Sequence, residues 1–574
     1  ESIAEILKGY NGNYKQEAFA SLVNIDNIKM IEVLYNIAVN DKTNAQAALN
    51  RYTSLVAKSA HTSIRKYQLY RRALEIASDV KVQNRLINLL GETHTYQALM
   101  LVEKYMDNKA TAEAAAEAVR TIASKNSENF GGEPVRKALE KAIACFKEAG
   151  HADAGYAIDD INAILQRLPQ AAYIPIFGNA EWTVIALNPA QKASMNPKKI
   201  KKHEALTATT SDLWKITENG IAYTGGKNAI LGTGNYENFE LWFEWKGTGK
   251  AGLGVRSIRQ IDLGGDKSGA LSGNIKTKNT PEKVADNIAG EWNTVYVKVL
   301  NDRVTVSVNG VVTATNIILE NSCDRNIPAY VKGQLMLIGE GTPVEYREMY
   351  IRELPSTPKF NLPAEEAKEG FEILFDGTSM HKWTGNTTDY VPVDGTIYVT
   401  AQYGGSGNLY TVKEYSDFVF RFEFAFMREG VNNGVGIRTP MGVDAAYEGM
   451  EIQILDHDAP IYKGLREYQQ HGSVYGIIPA KRVKFPALGE WNTEEIRAVG
   501  DRITVTVNGE IILDGNIREA CQGHNVSEDG STKNPHTVDR KNHPGLFNKS
   551  GHIGFLGHGA GVKFRNIRIK DLSK

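Results

Sequence analysis

Cysteine is nearly absent. The chain has three, Cys145, Cys323 and Cys521, spread one to each apparent domain without CxxC or other zinc spacing. That excludes a disulfide framework and a cysteine-held structural zinc. A net charge is missing too: 66 Lys and Arg against 67 Asp and Glu leave −1, with a sequence pI near 7.0. No overall field therefore draws the protein to nucleic acid or to an anionic membrane. No apolar stretch approaches the roughly 20 residues that span a bilayer. Glu1 is followed by neither a basic n-region nor an apolar h-region. The expectation is a leader trimmed before this numbering begins.

What the chain has is length. At 574 residues it exceeds one core, and about 150 residues per domain predicts roughly three or four. Residues 1–168 read as successive helices, with apolar residues three and four apart, as at Ile28, Ile31, Leu34, Tyr35 and Ala38 or Tyr67, Tyr70, Ala73, Leu74 and Ala77. Breaks fall at Asp41, Thr62, Asp79, Gly91, Asn108 and Gly131-Gly132. Stacked antiparallel pairs of the HEAT or armadillo kind, an α-solenoid, are predicted, with an irregular helical bundle as the alternative. His61, His94 and His151 are isolated, and each reads as a surface residue.

From about 174 onward the texture is short β-branched and aromatic runs between Gly, Asn and Asp. Two passages are near copies. GEWNT recurs at 290–294 and 489–493; NDRVTVSVNG at 301–310 returns as GDRITVTVNG at 500–509; GLGVRS at 252–257 returns as GVGIRT at 434–439. Matches in one order are a tandem duplication. The copies are 174–354 and 371–574, joined by a Pro- and charge-rich linker at 355–370. Asn309-Gly310 and Asn508-Gly509 supply the positive φ of type I′ hairpins. The fold class is a multidomain α + β chain: helices, then two jelly-roll β-sandwiches.

The stretch YEGMEIQILD, 447–456, stands out. Met450, Ile452 and Ile454 alternate with Glu451 and Gln453, so one face meets a core and the other is open and acidic. A β-bulge at Ile454-Leu455 is expected to return Asp456 to the Glu451 side. Two carboxylates and an amide on one surface serve acid/base work, metal binding or sugar hydrogen bonding; the alternative is a solvated strand face.

The second copy resembles the 3-keto-disaccharide hydrolase domain family through FEILFDGTSMHKW (371–383), GVGIR (434–438), GMEIQILD (449–456) with HGSVYG (471–476), and HGAGVKFRNIRIKDL (558–572). The resemblance implies a concanavalin-like sandwich that cleaves glycosides already oxidised at C3, in bacteria that process them outside the cytoplasm, and hence an exported protein, periplasmic or at the cell surface. EIQILD is also similar to the ExDxxE strand of laminarinase-type glycosidases, but Gln453 and Asp456 replace two of its carboxylates. A direct double displacement does not fit that change.

A C3 ketone acidifies the C2 proton, so elimination needs a base, an acid and a donor to the ketone oxygen. Glu451 is the candidate base. His471 and His558 are candidates for acid or, with Glu451, for ligands of a divalent cation. Asp456 orients these groups, and Arg438, Gln453, Asn433, Tyr475 and Trp383 are candidate sugar binders. Structural alternatives stand beside them: Arg438 as a bridge to Glu451, His558 as a turn residue, Trp383 and Trp491 as core. The insertion 522–548, with His524, His536 and His543, reads as a solvated loop in preference to a metal site, because HxH and HxxxH spacings are missing. In the first copy Glu340 stands where His558 stands and no ExQxxD strand is found, so that copy reads as degenerate. Two readings result: a 3-keto-glycoside hydrolase or lyase with a saccharide substrate, or a non-catalytic pair of lectin-like sandwiches whose helical part docks a protein partner.

Overall fold

The computed structural model describes residues 3–150, 153–185, 196–208, 210–274, 280–281, 283–322, 328–400 and 407–573; His151 and Cys323 lie outside them. Helices run from Ile3–Tyr10 to Ala154–Gln166. Their starts follow local chemistry: the side chains of Thr62 and Asp79 accept from Arg65 N and Val82 N at 3.1 and 3.0 Å, satisfying orphan amides of the first turn. From Met30–Asn40 onward each α-helix packs on the next, and alternate helices also meet, Ala45–Lys58 on Val80–Gly91, Val80–Gly91 on Ala112–Lys125 and Ala112–Lys125 on Ala154–Gln166. Leu34, Tyr52, Tyr67, Leu86, Leu99 and Val119, on the periodic apolar faces, share one buried core.

Two β-sandwiches follow, each an eight-stranded and a five-stranded antiparallel sheet. In the second, the strands Val562–Asp571, Phe418–Phe426 and Asn492–Val499 are adjacent in the large sheet, and the small sheet orders Trp383–Gly385, Leu409–Thr411, His552–Phe555, Asn432–Thr439 and Met450–Leu455. The inner faces bury Phe420, Phe422, Phe555, Phe564, Ile452 and Ile454 in one core. Both Asn-Gly hairpins have positive φ at both residues, Asn309 51° and Gly310 79°, Asn508 50° and Gly509 83°. That backbone twist matches the twist of the flanking strands.

The duplication extends to structural arginines. Arg438 adopts φ 49° and donates to Ser416 O, Gly500 O and Asp417 Oδ1 at 2.7, 2.8 and 3.0 Å. Arg256 has φ 50° and donates to Glu237 O and Asn238 Oδ1 at 2.8 and 3.0 Å. Each closes the corner after its glycine-rich strand.

The large sheet of the first sandwich carries the helical domain on its outer face. Gln68, on the helix Ser63–Ile76, donates to Thr294 Oγ1 and Asn309 Oδ1, and accepts from Asn287 Nδ2, each at 2.8 Å. Arg71 lies 3.0 Å from Glu348 and 3.6 Å from the fully buried Glu244, which Arg347 also contacts at 2.6 Å. The two sandwiches meet where Asp302 Oδ2 accepts from Met380 N at 2.6 Å and Arg303 donates to Thr387 O at 2.8 Å.

Gln68→Ala removes three hydrogen bonds from the contact, two of them to the buried Thr294 and Asn309. The expected cost is about 2 kcal/mol, read in urea unfolding, with faster proteolysis between the helices and the first sandwich; an unchanged midpoint removes Gln68 from the docking contact.

Candidate active site

Glu451 is only 5% exposed, on the face of its strand opposite Ile452 and Ile454. It fits there because its neighbours are glycines. The strand pairs without a register shift, Gly434 opposite Gln453 and Gly436 opposite Glu451, and Gly436 in turn pairs with Gly554. The carboxylate leans over Gly434: a Cβ on that glycine falls 2.2 Å from Glu451 Oε1. Gly434 is required by close approach of a charge, and its φ is not positive.

His558 closes the site from the loop after His552–Phe555. Its Nε2 is 3.5 Å from Glu451 Oε1, and its side chain is 47% exposed. The carboxylate raises the imidazole above its ordinary value, against the opposing effect of burial. Among the described residues Glu451 Oε1 and Gln453 Oε1 are buried without a hydrogen-bond partner. A buried acceptor left open costs about 1–3 kcal/mol, and either a water or a sugar hydroxyl can satisfy it.

The segment after His471 pairs along the edge of this strand: Tyr475 N donates to Glu451 O at 2.9 Å and Gln453 N to Ser473 O at 3.1 Å. Tyr475 is thereby set beside Glu451. Its hydroxyl accepts from Gln469 Nε2 at 3.2 Å, and burial raises its pKa, so the phenol stays a proton donor. Tyr410, across the sheet, accepts from Gly442 N through its hydroxyl oxygen at 3.2 Å. The insertion supplies Lys541, whose Nζ donates to Tyr447 OH at 2.9 Å. Its root is held by the buried His543, 2.8 Å from Ala446 O and 3.1 Å from Asp539.

A model of the 3-keto-alpha-glucoside-1,2-lyase-like domain matches residues 193–352 and again 370–570, together more than half of the chain. The chain belongs to this family. A 3-keto-disaccharide hydrolase of Bacteroides thetaiotaomicron is 27% identical over 256 residues, 39% of this chain and 86% of that protein. Two crystal structures of glycosyl hydrolases described as putative, from Parabacteroides distasonis, are each 24% identical; they cover 35% and 37% of this chain and 99% of their own, with TM-scores of 0.30 and 0.31.

Within the family's second copy, the structure brings Glu451, Gln453, Tyr475 and His558 together and takes the other candidates elsewhere. His471 is wholly enclosed between the sheets: its Nδ1 accepts from Leu455 N at 3.1 Å, its Nε2 is 3.2 Å from Glu494, and Phe424 and Phe485 pack on its ring. It does not join Glu451 and His558 as acid or metal ligand. No bulge re-aims Asp456; its carboxylate accepts from Gly430 N at 2.9 Å and shapes the preceding loop. Arg438 is committed to its corner, because its positive φ turns the chain there, and bridges neither Glu451 nor a sugar. Asn433, opposite Ile454, faces the interior and donates to Tyr390 OH at 3.3 Å. Trp383 is core, stacked on Phe555 at 5.6 Å with its Nε1 on Leu374 O.

The first copy does possess the equivalent strand, Ile258–Leu263, with Asp262 opposite Gly252 and Arg259 opposite Gly254, the register place of Glu451. The carboxylate is therefore replaced in that copy, while its strand survives. Sequence reasoning missed Lys541, which sits in a polar insertion without periodicity, and the role of Gly434. The readable signal for Gly434 was glycine at alternate positions beside a strand with an acidic face.

Because the Glu451 carboxylate favours the charged imidazole, Glu451→Gln is expected to lower the His558 pKa toward about 6.5, followed by NMR titration of the imidazole. Linkage has a fixed sign: the His558–Glu451 attraction contributes stability that is full below the unfolded pKa and is lost as pH rises through the raised folded one. An unaltered titration in the variant assigns the shift to another cause.

Proposed function

We propose that the C-terminal sandwich cleaves glycosides carrying a ketone at C3. The observation that carries this reading is a buried carboxylate with an open oxygen, facing a protonatable imidazole 3.5 Å away. Base and acid side by side suit an elimination. Glu451 takes the C2 proton, made acidic by the ketone. The electron pair enters the C2–C3 enolate, then forms the C1–C2 double bond as the C1–O bond breaks, and His558 gives its proton to the departing oxygen. Water adds across that double bond to complete hydrolysis, or the unsaturated ketone leaves as the lyase product. Tyr475 donates to the ketone oxygen as charge develops, and Gln453 Oε1 accepts from a sugar hydroxyl. Holding a sugar does not require an imidazole charged by a neighbouring carboxylate, whereas acid/base cleavage does. The helical domain and the first sandwich serve as scaffold.

Incubation with disaccharides and their 3-keto forms tests the substrate class. Cleavage is expected for the keto forms alone; equal cleavage of the unoxidised sugars overturns the reading. Rates should fall as pH rises through the His558 pKa, since the acid is then lost.

Glu451→Gln keeps the strand and removes the acceptor, so turnover should fall roughly 100-fold or more while keto-glycoside binding persists. Gly434→Ala is expected to act through position alone: displacing the carboxylate lowers turnover by roughly 100-fold with circular dichroism unchanged. A parent-like rate in Gly434→Ala shows that the close approach is dispensable.

A further inference from the structure

The insertion that supplies Lys541 holds a second group of chemistry-bearing side chains. His524, Glu528 and His536 each bring a ligand atom within 4.8 Å of the others. The two imidazoles stack with centroids 4.4 Å apart, and His524 Nδ1 is 3.4 Å from Glu528 Oε1. Zinc bonds of about 2.0–2.1 Å in tetrahedral geometry separate neighbouring ligand atoms by roughly 3.3 Å. The His524–Glu528 pair already has that spacing. Glu528 is 69% exposed and His524 36%, so both side chains have room to turn toward a common ion.

The backbone beneath the two histidines is tied by one buried amide. Asn534 is 0% exposed; its Nδ2 donates to His524 O at 2.6 Å and its Oδ1 accepts from His536 N at 3.0 Å. Cross-braces continue outward, Ser527 N to Asn542 Oδ1 and Asn542 Nδ2 to Ser531 O at 2.8 Å each. Gln522 Oε1 lies 3.2 Å from His536 Nδ1, which makes Nδ1 the protonated nitrogen and leaves Nε2 free to bind. An acceptor behind a ligating imidazole is the usual support of a metal-bound histidine.

We propose that His524, Glu528 and His536 bind one divalent ion of the zinc type, with water completing its coordination. Two imidazoles and a carboxylate suit zinc, whereas calcium and magnesium take oxygen donors. The ion clamps the insertion and so steadies Lys541 against Tyr447. No step of the elimination passes through it, and the site stands whether or not the chain cleaves keto-glycosides.

Calorimetry of the full chain, stripped of metal and titrated with zinc, is the test. One saturable site and a raised melting temperature are expected, with calcium giving neither. Glu528→Gln, at an exposed position that leaves folding intact, should weaken zinc binding by about 10-fold or more, and a His524→Asn/His536→Asn double variant should abolish it. No saturable binding by the parent at about 100 µM zinc, or undiminished binding in Glu528→Gln, overturns the proposal.

Discussion

The constraint on which the candidate site depends is the cost of taking a carboxylate out of water without giving it an arginine. Desolvation is expensive for an ion, and proteins usually offset it with a paired charge and full hydrogen bonding. Glu451 receives less than that. It lies on Gly434, where the sheet is thin enough to admit it, and its nearby charge is the half-exposed His558, held at a distance longer than a good hydrogen bond. The best cation in the neighbourhood by sequence, Arg438, is spent on Ser416, Asp417 and Gly500. A carboxylate without an arginine bridge keeps an oxygen free to meet a bound molecule.

Duplication shows which parts are scaffold. Both copies stack an arginine on a tryptophan at 3.9 Å, Arg347 on Trp292 and Arg565 on Trp491, and both keep the corner arginine and the Asn-Gly hairpin. They differ at the register place of Glu451 and in what covers the large sheet. The first copy buries Glu244 and Tyr350 against helices; the second receives the linker, where Glu366 pairs with Arg421 and Arg568 at 2.9 and 2.6 Å. One copy became a docking platform, and the other kept a polar cluster beside its acidic strand.

Local pattern determined a good deal without any coordinates. Helical periodicity with capping residues such as Thr62 and Asp79, strand alternation at 450–454 and the ordered repeats are short-range or self-referential signals, and they are legible because backbone geometry enforces them. Glu451 was legible for the same reason: alternation alone places it opposite Ile452.

Tertiary structure decided the rest, because it concerns which side of a layer a loop residue falls on. His471 and His558 are equally polar in sequence, yet one is sealed between Phe424 and Phe485 and the other meets Glu451. Asp456 is claimed by an amide 26 residues away, and Lys541 reaches Tyr447 across 94. His524, Glu528 and His536 converge through Asn534 without any repeating spacing. Chain folding in irregular segments follows hydrogen bonds between distant residues, and no local period records them.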